Sequence, residues 1–257
     1  MGNIDTYQQY YEQAAVWQRH NPSELEWSRV LETIKMIPEE VKSIIDLGCG
    51  DGLLTNQLLD QYEKVLGVDV SNEALKHVKA EKLVAGMDLL PLPDQSFDLA
   101  ICAEVIEHLP NPIYKKSLLE LQRVAQKYIL ITVPNDEFLR DRFIKCPFCS
   151  CTYHRYRHLH SFKLEELINL LPHFEYVNHR YLGGLTVRPY RWDTIFRQNL
   201  GNHWNVSDNC VCPQCGYTGS GSLRRGLISY FLSILRKLLP QKSKPHWVAV
   251  LYRRKAS

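Results

Sequence analysis

The chain has 257 residues, of which 45% are hydrophobic and 23% charged. That balance excludes a disordered polyelectrolyte and supplies enough apolar surface for one α/β domain with an insertion. The formal net charge of +3 is unevenly spread: residues 209–257 hold nine of the 31 Lys and Arg and no Asp or Glu, so the remainder carries 22 basic against 28 acidic residues, a balance of −6.

Strand and helix patterns alternate along the chain, as they do in a parallel sheet covered on both faces. Residues 1–40 read as a polar helical lead-in, with Trp27, Val30, Leu31 and Ile34 at helical spacing. Residues 1–6 also match the short N-myristoylation pattern, which recurs by chance. The first 20 residues lack the basic-then-apolar order of a secretory signal, and no run reaches the roughly 18 apolar residues of a membrane span. A cytoplasmic protein is therefore expected.

A core over 41–182 is expected to open with a strand at 42–47, a glycine-rich turn, a helix at 53–62 and a strand at 64–69. Ser71 or Asn72 can cap the next helix, near 73–80. Strands near 83–87 and at 97–102, a helix near 113–125 and a strand at 128–133 complete the alternation. A segment rich in Cys, His, Arg and Tyr, 143–160, then interrupts it. Helical spacing resumes at 162–171, and a strand near 174–182 ends at Gly183-Gly184. Residues 183–240 read as a second insertion, irregular over 185–222 and then an apolar helix near 223–239. Residues 241–257 hold a final strand of the core sheet, at 247–252.

The central constellation is Asp46-Leu-Gly48-Cys49-Gly50-Asp-Gly52, set between a strand and a helix. Glycines there allow a tight turn and close approach of a ligand to the backbone. Asp69 ends the second strand 21 positions after Gly48, about the spacing at which a carboxylate reaches ribose hydroxyls in dinucleotide folds.

Three further strings follow in order: Gly67-Val-Asp69-Val70-Ser, Gly86-Met87-Asp88-Leu-Leu-Pro-Leu-Pro-Asp-Gln-Ser-Phe-Asp98, and Glu104-Val-Ile-Glu107-His108. Together with the glycine turn they resemble the class I S-adenosylmethionine (SAM)-dependent methyltransferases of the type 11-like group, over roughly residues 40–182 and the last strand. The resemblance implies a Rossmann-like α/β fold: a seven-stranded, mostly parallel sheet with helices on both faces. It also implies that Gly48, Cys49 and Gly50 line the methionine moiety of SAM, with Asp46 and Gly52 beside them. Asp69, next to Val70, would bind the ribose. Met87 and Asp88 would meet the adenine, and Cys102, Ala103 and Glu104 would lie under the sulfonium.

Methyl transfer needs an aligned nucleophile, and a general base where the acceptor is a hydroxyl. Glu107, His108, His154, His158 and His160 are the candidates, each equally readable as structural. Glu104-x-x-Glu107-His108 resembles the Mg²⁺-binding segment of small-RNA 2′-O-methyltransferases and of ubiquinone-pathway O-methyltransferases, and also a plain structural string.

Cys146-Pro-Phe-Cys149 and Cys212-Pro-Gln-Cys215 are two C-P-x-C knuckles separated by 62 residues. Two such knuckles supply the four thiolates of a structural Zn²⁺ site. Both would leave the face of the fold that holds SAM, where one zinc would pin the insertions as a lid over the acceptor pocket; Cys151 and Cys210 remain as substitute ligands. The apolar helix near 223–239, flanked by Arg and Lys, suits either the core or an anionic membrane surface.

The expected function is O-methylation of a small molecule or glycan hydroxyl, with a lipid-linked acceptor if the helix touches membrane. The alternatives are an RNA methyltransferase, for which no base-stacking module is evident, and a zinc-stabilised SAM-binding protein without turnover.

Overall fold

The computed structural model describes residues 10–17, 22–188, 190–205, 210–218, 226–237, 240 and 242–256. The N-myristoylation pattern and residues 223–225 and 238–239 of the expected apolar helix lie outside them. Contacts divide the chain into two units, the first of 1–135, 162–184 and 245–257, the second of 136–161 and 185–244. The two cysteine-bearing insertions thus belong to one unit, rather than to a core and a separate segment.

In the first unit a short helix, α1 (Ala14–Trp17), precedes α2 (Glu24–Ile34). Ser23 caps α2 through a capping box: its hydroxyl accepts the Glu26 N–H at 3.2 Å, and the Glu26 carboxylate accepts the Ser23 N–H at 3.0 Å. Of the apolar stripe read in this helix, Val30 is fully buried, but Leu31 is 51% exposed. The core strands are β1 (Ser43–Leu47), β2 (Lys64–Asp69), β3 (Glu81–Val84), β4 (Phe97–Ala103) and β5 (Ala125–Pro134). Helices α3 (Thr55–Leu58), α4 (Asn72–Leu75), α5 (Asn111–Val124) and α6 (Leu164–Ile168) lie between or after them. Strands β8 (Phe174–Arg188) and β9 (Lys242–Arg254) complete a seven-stranded sheet of order β3-β2-β1-β4-β5-β9-β8. The first five strands of that order, β3-β2-β1-β4-β5, pair in parallel, and β9 runs antiparallel to β5. This is the doubly wound arrangement expected.

Alternate residues of each strand serve opposite faces. Ile45, Leu47, Ala100, Cys102, Ile129 and Ile131 join one buried cluster. Ile44, Val65, Leu99, Ile101 and Leu130 join the other. The central strands β1, β2 and β4 and the latter half of β5 are continuous apolar runs, because there neither face of the sheet meets water.

Two polar side chains fix the frame. Asp98, at the start of β4, accepts the N–H groups of Lys42 and Ser43, both at 3.0 Å, and lies 2.8 Å from Lys127 Nζ. Burial opposes its ionisation, but Lys127 and the two amides prevail and lower its carboxyl to about 2. Arg123, near the end of α5, ties down the loop after β3. Its guanidinium donates to the carbonyls of Leu92 at 2.6 Å and Leu90 at 3.0 Å and pairs with Asp94 and Glu120. Glu120 in turn accepts the Leu90 N–H at 2.7 Å.

Several expected boundaries moved: the helix read near 73–80 is Asn72–Leu75, the strand near 83–87 is Glu81–Val84, and the final strand read at 247–252 is Lys242–Arg254. The helix after the glycine turn has one turn only and no side-chain cap; Asn56 instead bonds the His77 carbonyl and the Lys79 N–H. Strand β8 runs through Gly183-Gly184. Gly183 has φ +75°, and a Cβ there would stand 2.4 Å from the Trp247 ring, so it marks a close approach rather than an end. The segment at 185–222 also contains a helix, α7 (Arg191–Asn199). Its buried side chains are Asp193, Thr194 and Gln198, while Trp192 and Phe196 are exposed, so apolar periodicity could not reveal its inward face.

The second unit also holds a hairpin, β6 (Phe143–Lys145) with β7 (Thr152–His154), and α8 (Leu227–Lys237). Among the described residues its buried apolar cluster is Ile144, Cys146, Tyr153, Cys210 and Cys212, with Cys149, Cys151 and Tyr217 packed against it. The apolar stripe of α8 is not core: Leu227 is 88% exposed and Phe231 68%.

Arg123→Ala removes two charge-assisted pairs and leaves two loop carbonyls unbonded. It is expected to cost about 2–3 kcal/mol in urea unfolding; a change below about 0.5 kcal/mol would contradict the structural role given to this residue.

Candidate functional site

The glycine turn follows β1. Gly48, Gly50 and Gly52 all have positive φ, +75°, +55° and +77°, where a side chain is strained. At Gly48 space forbids one as well, since a Cβ would stand 2.6 Å from Val105 Cγ2. The turn closes onto β2: the N–H groups of Gly48 and Cys49 both donate to the Val68 carbonyl, at 2.7 and 3.0 Å.

Two buried carboxylates flank this turn. Asp69 accepts the Gly50 N–H at 2.8 Å and the Ser71 N–H at 2.9 Å. Burial raises its carboxyl, and these amides oppose the rise. Asp46 accepts the Thr55 hydroxyl at 2.6 Å. Burial lifts its carboxyl to about 6 against that hydrogen bond, and the charge of Asp69 adds to the rise while Arg29 opposes it. Arg29 is itself buried and stands over the Trp247 ring.

The remaining cofactor candidates sit at or just beyond the carboxyl ends of their strands, where ligands of doubly wound sheets bind. Val70 follows β2. Met87 is buried and Asp88 half-buried after β3. Cys102 is fully buried in β4, and burial pushes its thiol well up, as it does that of Cys49; neither thiol is a ready nucleophile. Ala103 ends β4, and Glu104 follows with φ +59°, its carboxylate accepting the Thr132 hydroxyl at 3.2 Å. Glu107 and His108 lie in the next turn. Glu107 is 1% exposed, its carboxylate is 4.0 Å from His108 Nε2, and the Tyr11 ring meets His108 edge-on.

Sequence reasoning missed the part played by Tyr11, Glu12 and Trp17. Trp17 packs over Gly50, where a Cβ would stand 2.9 Å from its ring. Glu12 accepts the Ser71 hydroxyl at 2.9 Å and an Asn72 amide hydrogen bond at 3.0 Å. The aromatic density of residues 7–17 was the available signal.

The second unit holds the other candidates. Cys146 Sγ lies 3.7 Å from Cys215 Sγ, and Cys149 Sγ 3.6 Å from Cys212 Sγ; all four sulfurs fall within 4.8 Å of one another. Disulfides would need about 2.05 Å. Four thiolates around one zinc at about 2.3 Å stand about 3.8 Å apart, so this donor set fits that metal. The two knuckles share one backbone design. Ser150 and Gly216 follow the second cysteine with φ +61° and +71°, and each donates its N–H back to the first cysteine's carbonyl, at 3.0 and 2.9 Å. Cys151 and Cys210 direct their thiols to the carbonyls of Thr152 and Arg155, outside the four-sulfur group.

His154 and His158 share Glu137. The carboxylate is 2.5 Å from His158 Nδ1 and 3.5 Å from His154 Nε2, and the two rings stack at 4.5 Å. His154 Nδ1 accepts the N–H groups of Tyr156 and His158, which assigns the proton of its neutral ring to Nε2. His160 is half-buried nearby in sequence.

A doubly wound sheet of this order, with a glycine turn after β1 and a carboxylate ending β2, defines the class I SAM-dependent methyltransferase fold. Comparison with known proteins agrees. Residues 45–128 match the methyltransferase domain family, so the chain carries a methyltransferase domain. A ubiquinone biosynthesis O-methyltransferase of Idiomarina loihiensis is 35% identical over 81 residues, covering 28% of this chain and 33% of that protein. The chain thus spans about a third of the length of the curated relatives it first matches. The N-methyltransferase NodS of Bradyrhizobium japonicum, solved with S-adenosylhomocysteine, has the same fold at TM-score 0.58 and 13% identity, covering 98% of this chain and 100% of that one. The magnesium protoporphyrin IX methyltransferase of Synechocystis, with the same ligand, aligns at TM-score 0.54 and 11% identity over 98% of this chain and 100% of that one.

The raised carboxyl of Asp46 predicts a pH dependence with a definite sign. An unfolded Asp46 gives up its proton near 3.8 and the folded one at about 6, so the free protein loses stability as pH rises through that window. Were Asp46 to meet the cationic amino group of SAM, binding would run the other way, since it would need the ionised form. SAM affinity is expected to fall several-fold from about pH 7.5 to about pH 5, and Asp46→Asn to weaken binding at the higher pH and flatten the profile. Titration calorimetry showing equal wild-type affinity at both pH values would remove Asp46 from the cofactor site.

Proposed function

We propose that this protein is a SAM-dependent O-methyltransferase acting on the hydroxyl of a small molecule or glycan. The observation that carries the reading is the pair of buried carboxylates, Asp46 and Asp69, on a turn whose glycines leave the backbone open to a ligand. The O-methyltransferase names of the partly matching relatives support a hydroxyl acceptor.

In this reading Asp69 holds the ribose hydroxyls, with Val70 beside it. Asp46 and the backbone at Gly48, Cys49, Gly50 and Gly52 hold the amino-acid end. Met87 and Asp88, on the loop pinned by Arg123, flank the adenine, and Cys102 to Glu104 floor the site. The bound cofactor supplies a methyl group on a sulfonium; the residues align the acceptor oxygen with it and exclude water. His108, oriented by Glu107, takes the hydroxyl proton as the oxygen–methyl bond forms. Cys146, Cys149, Cys212 and Cys215 hold one structural zinc, which reinforces the small apolar cluster described in the second unit.

Methyl-labelled SAM given to the protein with a cell extract tests the reaction. Label is expected in the organic or small polar fraction, and His108→Ala is expected to lower kcat by about 10²–10⁴ with SAM affinity kept. Label confined to RNA would replace the acceptor class, and tight SAM binding with no labelled product would make the protein a binding module.

For the zinc, protein purified without chelator is expected to carry about one equivalent, and Cys212→Ser less than half of that with a lower melting temperature. Metal-free protein with unchanged melting would overturn the assignment.

A further inference from the structure

Both helices of the second unit are turned inside out. Along α7 the buried side chains are Asp193, Thr194 and Gln198. Gln198 donates to the Arg140 carbonyl at 2.7 Å, and Thr194 to Asp141 at 3.3 Å, so the polar face of α7 points inward. Along α8 the contrast is sharper. Leu227 is 88% exposed, Phe231 68% and Ile234 64%, while Ser229 is fully buried. At 100° per residue Leu227, Ile228, Tyr230, Phe231, Ile234 and Leu235 fall within an arc of about 160°. Most of the apolar face of the helix therefore meets solvent.

The packing of α8 enforces this orientation. The Gly226 N–H donates to the Gly201 carbonyl at 2.7 Å, and the Ser229 hydroxyl bonds His203 Nδ1 at 2.9 Å. A Cβ on Gly201 would stand 2.7 Å from that of Ser229. Small residues thus grip the helix by its polar side and leave the apolar side uncovered among the described residues.

A contiguous apolar face of this kind marks a surface that something covers, and the charge pattern selects the partner. Arg224 and Arg225 precede α8 in the sequence, Arg236 and Lys237 end it, Lys242 follows, and residues 209–257 contain no Asp or Glu. An apolar helix face flanked in sequence by cations complements an anionic lipid surface, in which side chains sink below headgroups that cations meet. A second copy of the chain would set these cations against one another. At 11 residues, α8 is about 16 Å long, half the thickness of a bilayer core, and no described helix is long and apolar enough to cross a membrane.

We propose that α8 docks this protein in the plane of an anionic membrane surface, with Leu227, Phe231 and Ile234 inserted beneath the headgroups. Trp192, exposed on the neighbouring α7, is a residue type that settles at headgroup level. The docking stands apart from the methyl-transfer reading, although together they point to acceptors carried on lipid.

The test is co-sedimentation of the full chain with vesicles of phosphatidylcholine and phosphatidylserine at about 7:3, and with phosphatidylcholine alone. Binding to the anionic vesicles is expected, at least about tenfold weaker on neutral ones and reduced by salt. Phe231→Ser with Ile234→Ser, both at exposed positions, is expected to abolish binding without changing the melting temperature. Arg236→Glu with Lys237→Glu is expected to weaken it at least about tenfold. Wild-type protein left in the supernatant with every vesicle, or serine variants that bind as well as wild type, would overturn the proposal. So would a dimer that the serine variants dissociate, in the absence of vesicle binding, which would assign the face to a second copy. SAM titration of the same samples keeps a failure of docking distinct from a failure of the cofactor site.

Discussion

The junction between β1 and β2 is the constraint from which the rest of the first unit follows. Two adjacent amides, Gly48 and Cys49, converge on the single carbonyl of Val68, and the chain reverses there through positive φ at Gly48, Gly50 and Gly52. That reversal places Asp46 before the turn and brings Asp69 to the Gly50 amide after it, both out of bulk water. Buried carboxylates are costly unless bonded. Each is accordingly committed: Asp69 to backbone amides, Asp46 to Thr55. Arg29 answers the remaining charge from the flank. A turn meant only to connect strand and helix would not carry this electrostatic load.

The second unit rests on a different principle. Its described apolar cluster is five residues, three of them cysteines, far below what a domain of this size needs to hold itself together. Its helices do not make up the deficit, because both point polar side chains inward. In the proposed reading, four thiolate–metal bonds would supply what packing would otherwise supply in dozens of contacts, and would leave the helices at liberty to present apolar residues outward. The inverted helices and the cysteine cluster are thus two sides of one economy of stabilisation.

Most of the first unit was legible in the sequence. Parallel strands buried on both faces read as unbroken apolar runs, and the glycine turn and the acidic end of β2 have fixed spacing from them. The parts that escaped reading are those in which side chains act across long separations. Arg123 bonds carbonyls about thirty residues upstream, and Glu12 reaches Ser71 and Asn72; no local pattern announces either. Helix α7 escaped because amphipathic reading assumes that apolar residues face inward. Gly183 misled in the opposite direction: a glycine within a strand was read as an end, when its missing Cβ makes room for Trp247. The cysteine knuckles were plain as motifs, but only the fold shows which four of the six sulfurs converge.

The order of strands in the sheet also has a temporal meaning. β9 lies between β5 and β8, so a chain emerging from the ribosome leaves that slot open until Arg254 has been made. In the interval β5 and β8 each offer an unpaired edge, that of β5 strongly apolar over Ile129–Val133, and the thiols of Cys146 and Cys149 wait more than sixty residues for their counterparts. Until β9 is made, the nascent protein must therefore keep these open edges from pairing with other chains.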